Sequence, residues 1–149
     1  APAHMNARSM VEPVFVREHI QSLRPYIQKT VDDLLDAMIA KGCSGPVDLI
    51  ANFALPVPSY IIYTILGVPF EDLEYLTTQN AIRSNGSGTA QEAAAANQEL
   101  LNYLAKLVQL RKKEPKEDLI SKLVVEQLNP GHIDESDAVQ IAFLLLVAG

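Results

Sequence analysis

One cysteine, Cys43, is all that 149 residues supply, so a disulfide framework and a cysteine-based zinc module are both excluded, and a reducing compartment fits. Basic residues are in deficit. Twelve Lys and Arg stand against eighteen Asp and Glu, a formal charge of −6. Nucleic acid is therefore an unsuitable partner, because binding it takes an excess of cations to displace its counterions. Seven glycines and nine prolines are too few for a fibrous repeat. Long apolar runs are missing too: the longest, residues 141–149, falls well short of the ~20 residues a membrane-spanning helix needs. The start, Ala1-Pro2-Ala3-His4, has neither the basic nor the apolar segment of a secretory signal. The expected location is cytoplasmic, with a mitochondrial one as the alternative. The chain does not begin with Met, which leaves an upstream anchor open.

What is present is apolar. Hydrophobic residues make up 48% and charged residues 20%, too apolar for a disordered chain and long enough for one domain with a real core. Periodicity reads as helix after helix. Residues 5–11 and 17–23 are short helical candidates separated near Pro13. Ile27, Val31, Leu34, Leu35, Met38 and Ile39 form one apolar stripe, with Pro25 in the first turn and Gly42 at the C-terminal end. Residues 47–49 read as a short strand or extended link. Residues 59–67 are rich in β-branched side chains, but Pro at their start and Gly at their end favour a short buried helix.

Residues 71–84 and 90–113 are two further helices, joined by Asn85-Gly86-Ser87-Gly88, the most flexible link in the chain. Arg111, Lys112 and Lys113 complement the negative end of the second. A helix over 118–128 and a turn at Asn129-Pro130-Gly131 lead to a last helix that Asp134 can cap. Beyond Gln140 that helix is apolar on every side, the pattern of a helix enclosed by protein, yet the sequence stops inside it. The expectation is a single partial domain over 1–149, a fragment of a longer chain that exposes Leu144, Leu145 and Leu146 and self-associates through them. The fold class is mainly α, with at most one short strand.

Candidate chemistry is sparse. His4 and Arg8 lie four residues apart, hence on one helix face, and together could offer hydrogen bonds to a pair of carboxylates; on spacing alone a solvated N-terminal turn is the simpler reading. Cys43 has no His nearby in sequence, Asp36 and Asp48 would not lower its pKa, and it reads as a free structural or surface thiol. His19 and His132 have no partner at metal-ligand spacing. Gly86-Ser87-Gly88-Thr89 is not a nucleotide loop, because a helix precedes it and Glu92 sits in the following first turn. Asp32, Asp33 and Asp36 read as a solvated face, and no metal site is expected.

Longer motifs say more. Phe53-Ala54-Leu55-Pro56-Val57-Pro58-Ser59-Tyr60-Ile61-Ile62 and Leu66-Gly67-Val68-Pro69-Phe70-Glu71-Asp72 resemble the E–F region of soluble cytochrome P450 haem-thiolate enzymes. His4-Met5-Asn6-Ala7-Arg8 resembles their C-helix pattern His-x-x-x-Arg, and Ala148-Gly149 the Ala-Gly opening the oxygen-binding groove of the I helix. The resemblance spans the whole chain, from the C helix to the start of the I helix. Within the family, residues 55–64, 79–86 and 136–149 are most similar to fungal-type nitric oxide reductases. Those enzymes reduce two nitric oxide molecules to nitrous oxide with hydride taken directly from NADH or NADPH.

The resemblance implies that His4 and Arg8 bind the haem propionates, that Ala148 and Gly149 lie over the distal haem face, and that the Asn85–Gly88 loop is a lid over the substrate channel. It implies haem b in the parent protein, NADH or NADPH as electron donor, and nitric oxide as substrate. Cys43 is not the haem ligand: the positions that hold Phe and Gly in the family's Phe-x-x-Gly-x-x-x-Cys-x-Gly loop hold Asp36 and Ile39 here, and only Gly45 fits. The chain by itself is therefore expected to bind no haem tightly and to be inactive. Two alternatives stand beside this reading: a fragment of a bacterial-type, ferredoxin-dependent monooxygenase, and a non-enzymatic helical binding module.

Overall fold

A computed structural model describes residues 2–42 and 44–149. Among the described residues eight α-helices follow one another: α1 (Pro2–Val11), α2 (Arg17–Ser22), α3 (Arg24–Ala40), α4 (Pro56–Leu66), α5 (Leu73–Ser84), α6 (Ala90–Lys113), α7 (Leu119–Leu123) and α8 (Glu135–Ala148). Short 3₁₀ turns at Glu12–Phe15 and Phe70–Asp72 and π turns at Ile50–Ala54 and Val124–Leu128 fill most of the connections. No strand forms among the described residues, so the chain is mainly α, as its periodicity implies. No described helix is long and apolar enough to cross a membrane.

The 24-residue α6, about 36 Å long, is the spine. It lies against α5 on one side and α8 on another, while α4 packs on α3, α5 and α8. The side chains between them, Leu66, Leu76, Leu100, Leu104, Leu119, Ile120, Val124 and Leu146, are fully buried and form one contiguous core. Capping residues fix where the elements begin. Thr89 accepts from the Glu92 amide while Glu92 accepts from the Thr89 amide, and Asp134 and Asp137 repeat this reciprocal arrangement at the start of α8.

Several elements differ from the sequence-based expectation. Val47 and Asp48 take no regular structure, and Leu49 already enters the helical turn, because Asp48 receives the Ala51 amide on its carboxylate and the Asn52 amide on its carbonyl. α4 starts at Pro56, three residues before the expected 59, since two prolines in a first turn lose no hydrogen bond they would otherwise make. The expected 118–128 helix is α7 followed by a π turn.

Within these 149 residues the last helix has one open face. Leu144 is 61% exposed and Ala148 is also open, whereas Leu146, expected on the surface, is 1% exposed. At 100° per residue, two positions along the helix are enough to carry a leucine from the open face to the core. The expectation for Cys43 lies outside the described residues.

Candidate functional site

α1 carries His4 and Arg8 one turn apart, both exposed. The helix docks through Met10 and Val11 on the core and leaves the His4–Arg8 turn in solvent. Among the described residues neither side chain makes a hydrogen bond or ion pair inside the chain. Two nitrogen-bearing heads with unspent donors suit an anionic ligand such as a carboxylate pair. They belong to a different helix from Ala148 and Gly149, and no hydrogen bond joins the two sets.

On α8 the helical phase separates two faces. Ala138, Ala142 and Leu146 are buried at four-residue intervals, while Gln140, Leu144 and Ala148 run along an open stripe. Gly149 is itself exposed, but its Cβ position is directed at α4, and its amide donates to the Leu145 carbonyl at 3.0 Å. A Cβ at Gly149 would lie 2.6 Å from Ile62 Cγ1 on α4, closer than real contacts allow.

The Asn85–Gly88 loop forms the far end of the α5–α6 hairpin. Asn85 Oδ1 receives the Ser87 amide at 3.1 Å and the Ser87 hydroxyl at 2.7 Å, and Glu92 caps the next helix instead of facing an anion. His19 and His132 are exposed, and no cluster of metal-ligating side chains occurs among the described residues. Asp32 accepts from Gln28 and Asp33 from Lys29 on an exposed helix face.

The base of the hairpin is held by a polar clamp that the sequence did not announce. Arg111, read as a complement to the helix dipole, is 3% exposed. Its Nε donates to Asp118 Oδ2 at 2.9 Å and its Nη2 to the Gly67 carbonyl at 2.7 Å. The other oxygen of Asp118 accepts the Ser121 amide at 2.7 Å and so caps α7. Gly67 closes α4 at φ +99°, and a Cβ there would sit 2.3 Å from Asp118 Cγ. Nearby, the Tyr103 hydroxyl donates to Asp72 Oδ2 at 2.6 Å, tying α6 to the turn that precedes α5. Burial, together with the Asp72 carboxylate, pushes the Tyr103 phenol well up. An Arg-x₆-Asp pair flanking Pro115 was the only hint in sequence, and an exposed surface pair would look the same.

Solved structures share this arrangement. CYP105N1 from Streptomyces coelicolor superposes with a TM-score of 0.92 at 37% identity, over all of this chain and 37% of that one. GfsF does so with a TM-score of 0.90 at 38% identity, over 99% of this chain and 37% of that one. The chain belongs to the cytochrome P450 superfamily. Among curated proteins it is 76% identical to Cytochrome P450 55A3 of Fusarium lichenicola over 149 residues, which is the whole of this chain and 36% of that protein. Pentalenic acid synthase of Streptomyces avermitilis is 43% identical over 148 residues, 99% of this chain and 36% of its own length. The chain thus spans about 36% of the length of these relatives. No protein-family model matches it.

Proposed function

We propose that these residues are the C-helix to I-helix part of a haem-thiolate nitric oxide reductase, which converts two nitric oxide molecules to nitrous oxide with hydride from NADH or NADPH. The observation that carries this reading is the gradient of similarity: 76% identity to a Fusarium protein along the whole chain, against 43% to a Streptomyces enzyme. It agrees with the fungal-type motifs at residues 55–64, 79–86 and 136–149.

When bound, the haem supplies the iron at which nitric oxide is reduced. The residues present fit its periphery: Arg8 offers a bidentate fork and His4 a further donor for the propionates, and neither is spent inside the chain. The Ala148-Gly149 end of α8 would border the ligand side through its open face at Ala148, where a small residue leaves space for a diatomic molecule, with Gly149 turned towards Ile62. The 85–88 loop closes over the channel as a lid, while the Arg111–Asp118–Gly67 clamp keeps the base of its hairpin fixed. No cysteine of the chain fits the thiolate loop, so the 149 residues by themselves hold no haem in thiolate geometry and turn nothing over.

The test is nitric oxide consumption by the full-length protein with NADH or NADPH and no ferredoxin; uptake under these conditions supports the reading. Strict dependence on ferredoxin and oxygen would replace it with the second reading, a monooxygenase, which the Streptomyces relatives favour. The residues after Gly149 separate the two: Asn-Ala-Thr fits the reductase, and Asp or Glu before Thr fits oxygen activation. In the same protein, Arg8→Ala is expected to speed haem transfer to an apo-globin acceptor about tenfold or more, the equivalent of one charge-assisted contact. An unchanged transfer rate would remove Arg8 from the propionate site.

A further inference from the structure

We infer that Gly149 is a positioning residue: its missing side chain seats α8 against Ile62 of α4 and so sets the depth of the open Leu144–Ala148 stripe. The geometry leaves little room for another account. A Cβ at 149 would meet not only Ile62 Cγ1 at 2.6 Å but also Ile62 Cβ at 2.7 Å and Cγ2 at 2.8 Å. Ile62 is 7% exposed and β-branched, and its Cβ is fixed by the α4 backbone, so no rotamer change clears the space. The helices themselves must part.

Nor is position 149 an isolated small residue. Ala138, Ala142 and Leu146, all buried, lie at helical spacing on the face turned into the bundle, and Gly149, itself exposed, follows at the same spacing with its Cβ position directed at Ile62. Leu144 and Ala148 lie on the opposite, open side. A side chain at 149 therefore drives α8 off α4, towards its open face. That this face borders the ligand side of the haem rests on the function proposed above; the seating rests on geometry alone.

The test uses the full-length protein in four forms: wild type, Gly149→Ala, Ile62→Gly and the double variant. Gly149→Ala is expected to lower the Tm by several degrees and to slow carbon monoxide association with the ferrous protein at least about threefold. Ile62→Gly removes the obstructing atoms, so in the double variant the carbon monoxide rate recovers and the two Tm losses come out less than additive. Recovery of a rate through a second site is something a general loss of stability does not produce. If Gly149→Ala fails to fold, folding of the double variant establishes the same coupling.

Wild-type Tm and rate in Gly149→Ala, or strictly additive effects, would overturn the inference. A protein that shows the Tm coupling but no thiolate haem spectrum would overturn the proposed function and leave the seating intact.

Discussion

Arg111 shows how much depends on a residue's surroundings. Its sequence neighbours Lys112 and Lys113 are exposed, yet Arg111 turns inward and spends two of its donors on Asp118 and the Gly67 carbonyl. Removing one member of such a buried pair strands the other, so Arg111→Met is expected to cost about 3–5 kcal/mol in urea unfolding of the chain. A cost below about 1 kcal/mol would mean the clamp contributes no more than a surface pair.

Tyr103 makes a pH prediction at the same scale. Its phenol ionises above the ordinary value of 10.0 when folded, because of burial and the Asp72 carboxylate. Above pH 10 the unfolded chain therefore holds fewer protons than the folded one, and stability falls as pH rises, while below pH 10 the contribution is intact. Tyr103→Phe is expected to flatten that alkaline fall, read as Tm between pH 9 and 11. Equal slopes for variant and wild type would refute it.

Elements are decided by their ends. The Asp134–Asp137 and Thr89–Glu92 pairs each satisfy two amides that the helix leaves open, which explains why α8 and α6 start where they do. Asp134→Ala is expected to cost about 1 kcal/mol and to raise hydrogen exchange in the first turn of α8 before its middle. Uniform exchange along α8 would show that the cap is not what holds that end.

Both starts were legible, that of α8 through its capping residue Asp134, whereas the Thr89–Glu92 pair of α6 emerged only in the structure. The limits of α7 were not. Its helix passes into a π turn at Val124, where tertiary packing of Val124 and Leu128 overrides a local preference that favours an uninterrupted helix. At 47–49 only Leu49 departs from the expectation: a partly alternating run behind turn residues suggested a strand or extended link, but the Asp48 side chain and carbonyl draw the chain into a helical turn from Leu49.

Across the whole molecule the core is continuous, but its cover is not. Leu144 on α8, Met5 on α1 and Ile39, Leu49 and Ile50 around the end of α3 are large apolar side chains in solvent. The isolated 149-residue chain is expected to self-associate in sedimentation at micromolar concentration and to bind a hydrophobic dye, and Leu144→Gln to weaken both. A dilution-stable, dye-free monomer would count against it. The candidate site divides in the same way. His4 and Arg8 were legible because one turn of helix fixes their relation. The opposed faces of α8 were not, since nothing local tells Leu144 from Leu146.

Composition, helical periodicity, capping residues and the E–F motif determined that this chain is mainly α, where most helices begin, and which family it resembles, because each of these acts over a turn or two of chain. Only the tertiary structure decided that Arg111 is buried, that Leu146 faces inward while Leu144 faces out, and that a Cβ at Gly149 would crowd Ile62. Those properties belong to contacts with Asp118, with the common core and with Ile62, residues that folding brings together.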